Sequence, residues 1–506
     1  MRVLLDTNIL IHREDAKPVS EELGELLRLM SESGAMPMVH PLSVIELQKD
    51  ANESRRMLTL SKIAAYAQLQ ESPDQSVDRE FLKFVHGDSA PFLVAVDDAL
   101  LYAVYRDAVD FLVTEDRGIL RKSNRVRLHD RVLAVSDALH LFRTLVLKEK
   151  PVSPPALREE FIYNLHLEDP IFDSLKREYM GFDDWFREKA REGRKAWVHH
   201  YRPDGTLGAV LICKEEDEAV ASSPALPKKR RLKVSTLKVA DVGNRVGEFF
   251  IRLAVELSVK RRLYEVYLTH FTQPDDRLVD LIAEYGFKKV AVMPSGEDVF
   301  LKGLRPTISE LRHVRPLEIS GTFYPSFYDG VLSRKFIVPI RPEYHHRLFT
   351  DFPGRQMLLS EQAGEFVIEG NTIKKAYVCH SPIRRIRSGN IVLFYMSGRG
   401  ILTSLGVVED VYSGQQSASD IFRLVGKRTV YSQREIERMS QRPTTLILFR
   451  HHFHLGHPFS LGRLKRNGVL KGPPQSITEI TESSYRIVRA EGGLDERFAF
   501  DQAKAC

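Results

Sequence analysis

MRVLLDTNIL, residues 1–10, decides how the front of the chain folds. Val3, Leu4 and Leu5 make a short apolar run of the kind a parallel sheet buries on both faces, and Asp6 ends it. A carboxylate directly after such a strand stands at the carboxyl end of the sheet, where open α/β folds take their ligands. Thr7 and Asn8 favour a turn and a helix N-cap, and Ile9, Leu10 and Ile11 restart an apolar pattern. Taken alone, an acid in this place is more often a plain cap or turn residue, so the reading depends on acids further along.

Three stretches supply them. Leu23, Leu26, Leu27 and Met30 share one face of a helix over residues 20–31, and Met36, Met38 and Val39 form a second short strand. Ser43 with Glu46 three residues on matches a capping box, which competes with a role for Glu46 as an oxygen ligand. In VDDALLYAVYRDA, residues 96–108, Asp97 or Asp98 opens a helix, where a carboxylate also suits the helix dipole. Phe111, Leu112 and Val113 then make another buried strand closed by Thr114, Glu115 and Asp116, so LVTED repeats the logic of LLDTN.

In this order, DTN at Asp6–Asn8, Glu46 within a helix, Asp98 followed by Ala99, Leu100 and Leu101, and Thr114-x-Asp116 resemble the PIN-domain ribonucleases over residues 1–148. The resemblance implies a Rossmann-like α/β/α sandwich whose acids gather at one pole and bind Mg²⁺ or Mn²⁺. It makes Asp6, Glu46, Asp98 and Asp116 the candidate catalytic and metal-binding residues, with Asp97 as the alternative to Asp98. Four carboxylates in one pocket repel, and a hard divalent ion relieves that repulsion. Oxygen ligands without Cys or His select Mg²⁺ or Mn²⁺ over Zn²⁺. Asn8 and Thr114 would orient carboxylates or water, and Arg121, Lys122 and Arg125 would meet substrate phosphates.

The whole chain bounds these readings. At 506 residues, with about 100–200 residues per domain, it predicts three domains. A hydrophobic share of 43% with 28% charged residues fits soluble globular domains. There is no apolar run of about 18 residues and no signal-like start, so neither a membrane span nor secretion is expected. Cys213, Cys379 and Cys506 are odd in number and far apart, which fits a reducing cytoplasm. Residues 1–150 hold 20 Lys and Arg against 24 Asp and Glu, whereas residues 315–480 hold 23 against 13. An acidic front suits metal chemistry and a basic rear suits a polyanion, although solvated surface charge explains both as well.

KPVSPP, residues 150–155, reads as a linker. Beyond it come a hairpin around Pro203-Asp204-Gly205, a strand at residues 233–239, a glycine turn at Gly243–Gly247 and a helix from Glu248. A strand, a glycine turn and a helix N-terminus form a cradle for a pyrophosphate. With the strand at residues 265–269 and Tyr285-Gly286-Phe287, residues 155–304 resemble the GNAT acetyltransferases, an α+β fold. That resemblance implies acetyl-CoA as a second candidate cofactor, held by the backbone of Val246, Gly247, Glu248 and Phe249. Two departures speak against catalysis. Only Gly247 survives of the family's phosphate-loop pattern, with Asn244 and Phe249 at its other positions, and Ile282 stands where many members carry a tyrosine acid. SSPALPKKRR, residues 222–231, reads as a basic loop that is either solvated or grips nucleic acid.

From Thr322 onward short β-like runs, aromatics and clustered Arg predict a small barrel. KKAYVCHSPIRRIRSGNIVLFY, residues 374–395, resembles the PUA-like superfamily, nearest its ASCH and EVE groups, although the GxKxxExR signature of ASCH proper is absent. A domain over residues 315–489 follows. The resemblance implies RNA held between barrel and helix, with Lys374, His380, Arg384, Arg385, Tyr395, Lys427 and Arg428 as candidate contacts. The histidines of HHFHLGH, residues 451–457, lack cysteine partners and do not make a zinc site.

The expectation is therefore a cytoplasmic, metal-dependent ribonuclease, toxin-like or serving defence, that selects RNA through its C-terminal domain. The alternatives are a CoA-dependent acetyltransferase acting on RNA or protein, and a non-catalytic RNA-binding regulator. An antitoxin-like protein and a second copy of the chain are the expected protein partners.

Overall fold

The computed structural model describes the chain except residues 7–8, 10–20, 50, 65, 71, 88–94, 147–155, 201–205, 241–243, 275, 353–365, 368–371 and 503–506. It divides into two compact units. Unit 1 comprises Met1–Pro151, Asp275–Arg277 and Gly414–Leu446, and unit 2 comprises Val152–Pro274, Leu278–Ser413 and Ile447–Cys506.

Unit 1 is built on a five-stranded parallel sheet of β1 (Arg2–Leu5), β2 (Met36–Val39), β3 (Ala67–Gln68), β4 (Phe111–Val113) and β5 (Val132–Leu133). The spatial order is β3-β2-β1-β4-β5, so the chain reverses direction of growth between β1 and β4. Leu4 stands opposite Met38 on one side and Leu112 on the other. Val3, Leu4, Leu5 and all of β4 are fully buried, because helices cover both faces, as parallel sheets require. Those helices are α1 (Glu21–Glu32), α2 (Pro41–Leu47), α3 (Glu53–Ile63), α4 (Arg79–His86), α5 (Val96–Tyr105), α6 (Arg117–Arg125) and α7 (Val135–Val146). The capping box expected at Ser43 does not form. His40 caps α2 through Nδ1, which accepts the Leu42 N–H, and Pro41 takes the first helical turn. Ser43 is therefore buried inside the helix, and Glu46 is exposed near its end.

The segment Gly414–Leu446 was expected within the C-terminal domain, yet it belongs to unit 1. Its helices Ala418–Val425 and Gln433–Ser440, with the turn between them, are tied there by polar contacts. Ser419 Oγ donates to Asp110 Oδ1 at 2.9 Å, Arg428 Nε meets Asp130 Oδ2 at 3.0 Å, and Gln433 Nε2 donates to the Ser33 carbonyl at 2.9 Å. Gly426, at φ +50°, lets the backbones close up, since a Cβ there would lie 2.5 Å from the Asp130 carbonyl oxygen.

Unit 2 holds two larger sheets. The first, in the order β11-β12-β10-β9-β8-β7-β6-β15, has eight strands: β6 (Ala156–Phe161), β7 (Lys195–His200), β8 (Leu207–Val220), β9 (Leu226–Val239), β10 (Glu265–His270), β11 (Lys288–Val292), β12 (Asp298–Gly303) and β15 (Phe366–Val367). Its longest hairpin, β8–β9, sets Glu216, Asp217 and Glu218 opposite Arg231, Arg230 and Lys229. The basic run expected as a loop is thus largely strand, and its charges are matched across the ladder. The helix Asn244–Lys260 is buried from Val246 to Val255 on every side, the mark of a core helix.

The second sheet is mixed and has six strands in the order β16-β19-β18-β17-β14-β20. These are β14 (Lys335–Ile340), β16 (Lys374–Cys379), β17 (Ile391–Met396), β18 (Ile401–Gln415), β19 (Thr444–Ser460) and β20 (Thr478–Ile480). A small pair, β13 (Phe327–Tyr328) with β21 (Ala499–Phe500), stands apart. Among the described residues β16 and β20 end the ladder of the region expected as a small barrel. The boundary expected near residues 304–315 falls within one compact unit. Tyr324, Ile373 and Phe498 share a core with Phe250, Leu253 and Val266, and β15 pairs with β6. No described helix is long and apolar enough to cross a membrane.

Candidate functional site

The carboxyl ends of β1 and β4 lie side by side, and the polar residues after them interlock. Asp6 donates its backbone N–H to the Val113 carbonyl at 3.0 Å and is 3% exposed. Thr114 Oγ1 donates to Asp6 Oδ2 at 2.5 Å and accepts the Asp116 N–H at 2.9 Å. Thr114 thus ties the first acid to the loop of the last. Asp116 Oδ1 accepts the Ile119 N–H at 2.9 Å and so caps α6, leaving its second oxygen outside that cap.

Asp97 and Asp98 lie in the first turn of α5. Asp98 is 1% exposed; Lys122 Nζ donates to its Oδ1 at 2.7 Å, and His86 Nε2 lies 2.7 Å from its Oδ2. Asp97 carries no such pairing. Burial raises its carboxyl above the usual range, Asp116, Asp98 and Glu46 raise it further, and Lys122 opposes them. Three of the expected acidic positions, Glu46, Asp98 and Asp116, therefore all act electrostatically on Asp97. Asn8 lies outside the described residues.

The donor chemistry at this pole is carboxylate and hydroxyl, the kind a hard divalent ion takes. Among the described residues, no group of three or more His, Cys, Asp or Glu is arranged to hold one ion.

The candidate RNA contacts separate sharply by burial. His380, Arg384 and Arg385 are exposed, with Arg385 NH1 3.5 Å from Glu479. Arg121 is half-buried. Lys122 is engaged by Asp98, and Lys374, 8% exposed, pairs with Glu284. Tyr395 is a core residue at 1% exposure, and Arg428 is spent on Asp130. Tyr395, Lys374 and Arg428 are thus unsuited to meeting RNA, because alternating strand positions and long-range ion pairs turn them inward. The side chain of Lys427 lies outside the described residues. His86, which the sequence reading did not single out, sits 12 residues from Asp98 and carries no local signal.

The candidate CoA cradle is closed by packing. The helix begins at Asn244, four residues earlier than expected, so Glu248 and Phe249 lie beyond its first turn, where N–H groups bond to preceding carbonyls. Phe249 is core, and Val246 is 1% exposed. A Cβ on Gly247 would lie 2.5 Å from Leu281 Cδ2, so this glycine leaves room for the Leu281 side chain. Glu248 Oε1 accepts the N–H groups of Ile373 and Lys374, both at 2.9 Å. Ile282 is fully buried.

No protein-family model matches the chain, and no curated protein sequence matches it. Solved structures similar to parts of it include an ASCH protein from Zymomonas mobilis, 14% identical, covering 31% of this chain and 94% of that one with a TM-score of 0.23. They also include aminoglycoside 6′-acetyltransferase type Ii, 16% identical over 30% of this chain and 98% of that one, TM-score 0.23. A third is the PaiA N-acetyltransferase from Thermoplasma acidophilum in complex with coenzyme A, 14% identical over 29% and 98%, TM-score 0.20.

Proposed function

We propose that the chain is a divalent-metal-dependent nuclease that hydrolyses RNA at the carboxyl pole of the unit 1 sheet. The observation that carries this reading is the Asp6–Thr114–Asp116 interlock at the point where strand order reverses, the place where open α/β sheets take ligands. Asp97, raised by burial and by three neighbouring acids, supports a site that gains from a cation.

Asp6, Asp97, Asp98, Asp116 and Glu46 are the oxygen donors that would hold Mg²⁺ or Mn²⁺. Such an ion, when bound, lowers the pKa of water and offsets charge on a phosphate. Thr114 keeps Asp6 in one orientation by its short hydrogen bond, and the α6 cap keeps Asp116 in place. The exposed His380, Arg384 and Arg385 suit a phosphate backbone or an unstacked base. The reading is tested by incubating an RNA pool with the full chain in Mn²⁺ or in chelator. Asp6→Asn is expected to abolish cleavage while leaving the circular-dichroism spectrum intact; cleavage at the native rate overturns the proposal.

A further inference from the structure

Asp98 is the most enclosed acid of the pole, and both of its oxygens are already engaged. The clamp draws on three helices: Asp98 from α5, Lys122 from α6 and His86 from α4. It is therefore a product of the folded α/β unit and not of one helix turn. The Lys122 and His86 side chains are 18% and 17% exposed, so the pair is shielded while the ammonium stays within reach of solvent. Charge-assisted bonds to both oxygens occupy about two of the four lone-pair sites, and the ammonium offsets the negative charge that would draw Mg²⁺ or Mn²⁺. An ammonium and a divalent ion compete for this one carboxylate.

Resting on the metal-dependent reading above, we infer that Lys122 is an internal counter-ion of the acid pole, holding Asp98 without metal and freed towards a substrate phosphate when a divalent ion takes Asp98 over. Lys122 is then a positioning residue whose partner changes with the metal. His86 steadies the second oxygen of Asp98 in either arrangement. The basic residue after the last acid serves the pole first and the phosphate second.

Mn²⁺ titration of the full chain by calorimetry tests this. Lys122→Met is expected to bind Mn²⁺ at least about tenfold tighter than the native chain, the scale on which groups flanking metal ligands act. Lys122→Arg, which keeps the charge, stays near native, and Lys122→Met combined with Asp98→Asn loses the gain. A second measurement needs no variant: acylation of the native chain by acetic anhydride, read by peptide mass spectrometry. Lys122 is expected to be protected in chelator and modified several-fold faster in Mn²⁺. Equal Mn²⁺ affinity of native and Lys122→Met, or Lys122 labelling that ignores Mn²⁺, overturns the inference. If neither the native chain nor Lys122→Met binds Mn²⁺, the metal-dependent reading itself falls, a result distinct from equal binding by both.

Discussion

In unit 1 the carboxyl of Asp97 is raised by burial and by Asp116, Asp98 and Glu46, with Lys122 opposing them. In unit 2 two carboxylates, Asp351 and Glu248, have dedicated partners. Asp351 is held by Arg252, with His454 Nε2 3.1 Å from its other oxygen, and its carboxyl lies well below the usual range because these cationic groups outweigh burial. Glu248 is satisfied by two backbone amides, and Lys374 by Glu284. The difference separates structural polarity from chemical polarity. Paired buried charge fixes a packing arrangement, whereas charge left in excess waits for a ligand.

The contrast breaks first, and hardest, at Arg252. Arg252→Met leaves Asp351 buried with its main cation gone, and unit 2 should lose about 3–5 kcal/mol in urea unfolding of the full chain. Mn²⁺ affinity should not change. A loss below about 1 kcal/mol would mean that this seam does not hold unit 2 together.

Acid sharpens the comparison next. Burial holds the His452 imidazole down at about 3, against 6.5 ordinarily, and its nitrogens are matched to Ser320 Oγ at 2.7 Å and the Pro325 carbonyl at 2.8 Å. A histidine depressed in the folded state contributes stability above its unfolded pKa that drains as pH falls towards the folded value. Between pH 6.5 and 3 the native chain should lose stability on the order of 3 kcal/mol through this group. His452→Gln, less stable at pH 8, should lose that part of the acid sensitivity. Parallel stability curves for the two chains over this range would refute the assignment.

The smallest effect belongs to Thr114. Thr114→Val keeps the shape but takes the donor from Asp6 and the acceptor from the Asp116 N–H. Mn²⁺ affinity is expected to fall about 10–100-fold with the thermal midpoint nearly unchanged. Unaltered affinity would show that the interlock does not orient the acids, and the pole would then resemble the paired seam of unit 2.

Short-range features were legible from residue order alone. The apolar triplets Val3–Leu5 and Phe111–Val113, the acids that end them and the first-turn acids of α5 were legible, because strand burial, turn chemistry and helix starts are written within about ten residues. The helix at Val96–Tyr105 and the turn at Gly389-Asn390 were legible for the same reason. Even local signals failed where two competed: Ser43-x-x-Glu46 has the capping pattern, but β2 ends at Val39, so His40 and Pro41 take the helix start.

Tertiary structure decided everything that depends on a distant partner. Gly247 reads as a phosphate glycine until Leu281 fills the space beside it, and Lys229–Arg231 read as a basic loop until Glu216–Glu218 stand opposite. Arg428 and Asp130, 298 residues apart, bring the segment 414–446 into unit 1. Lys122 and Asp98 meet across 24 residues and two helices. Pairing energy depends on distance in space and on the water excluded around it, and neither quantity is carried by the order of residues along the chain.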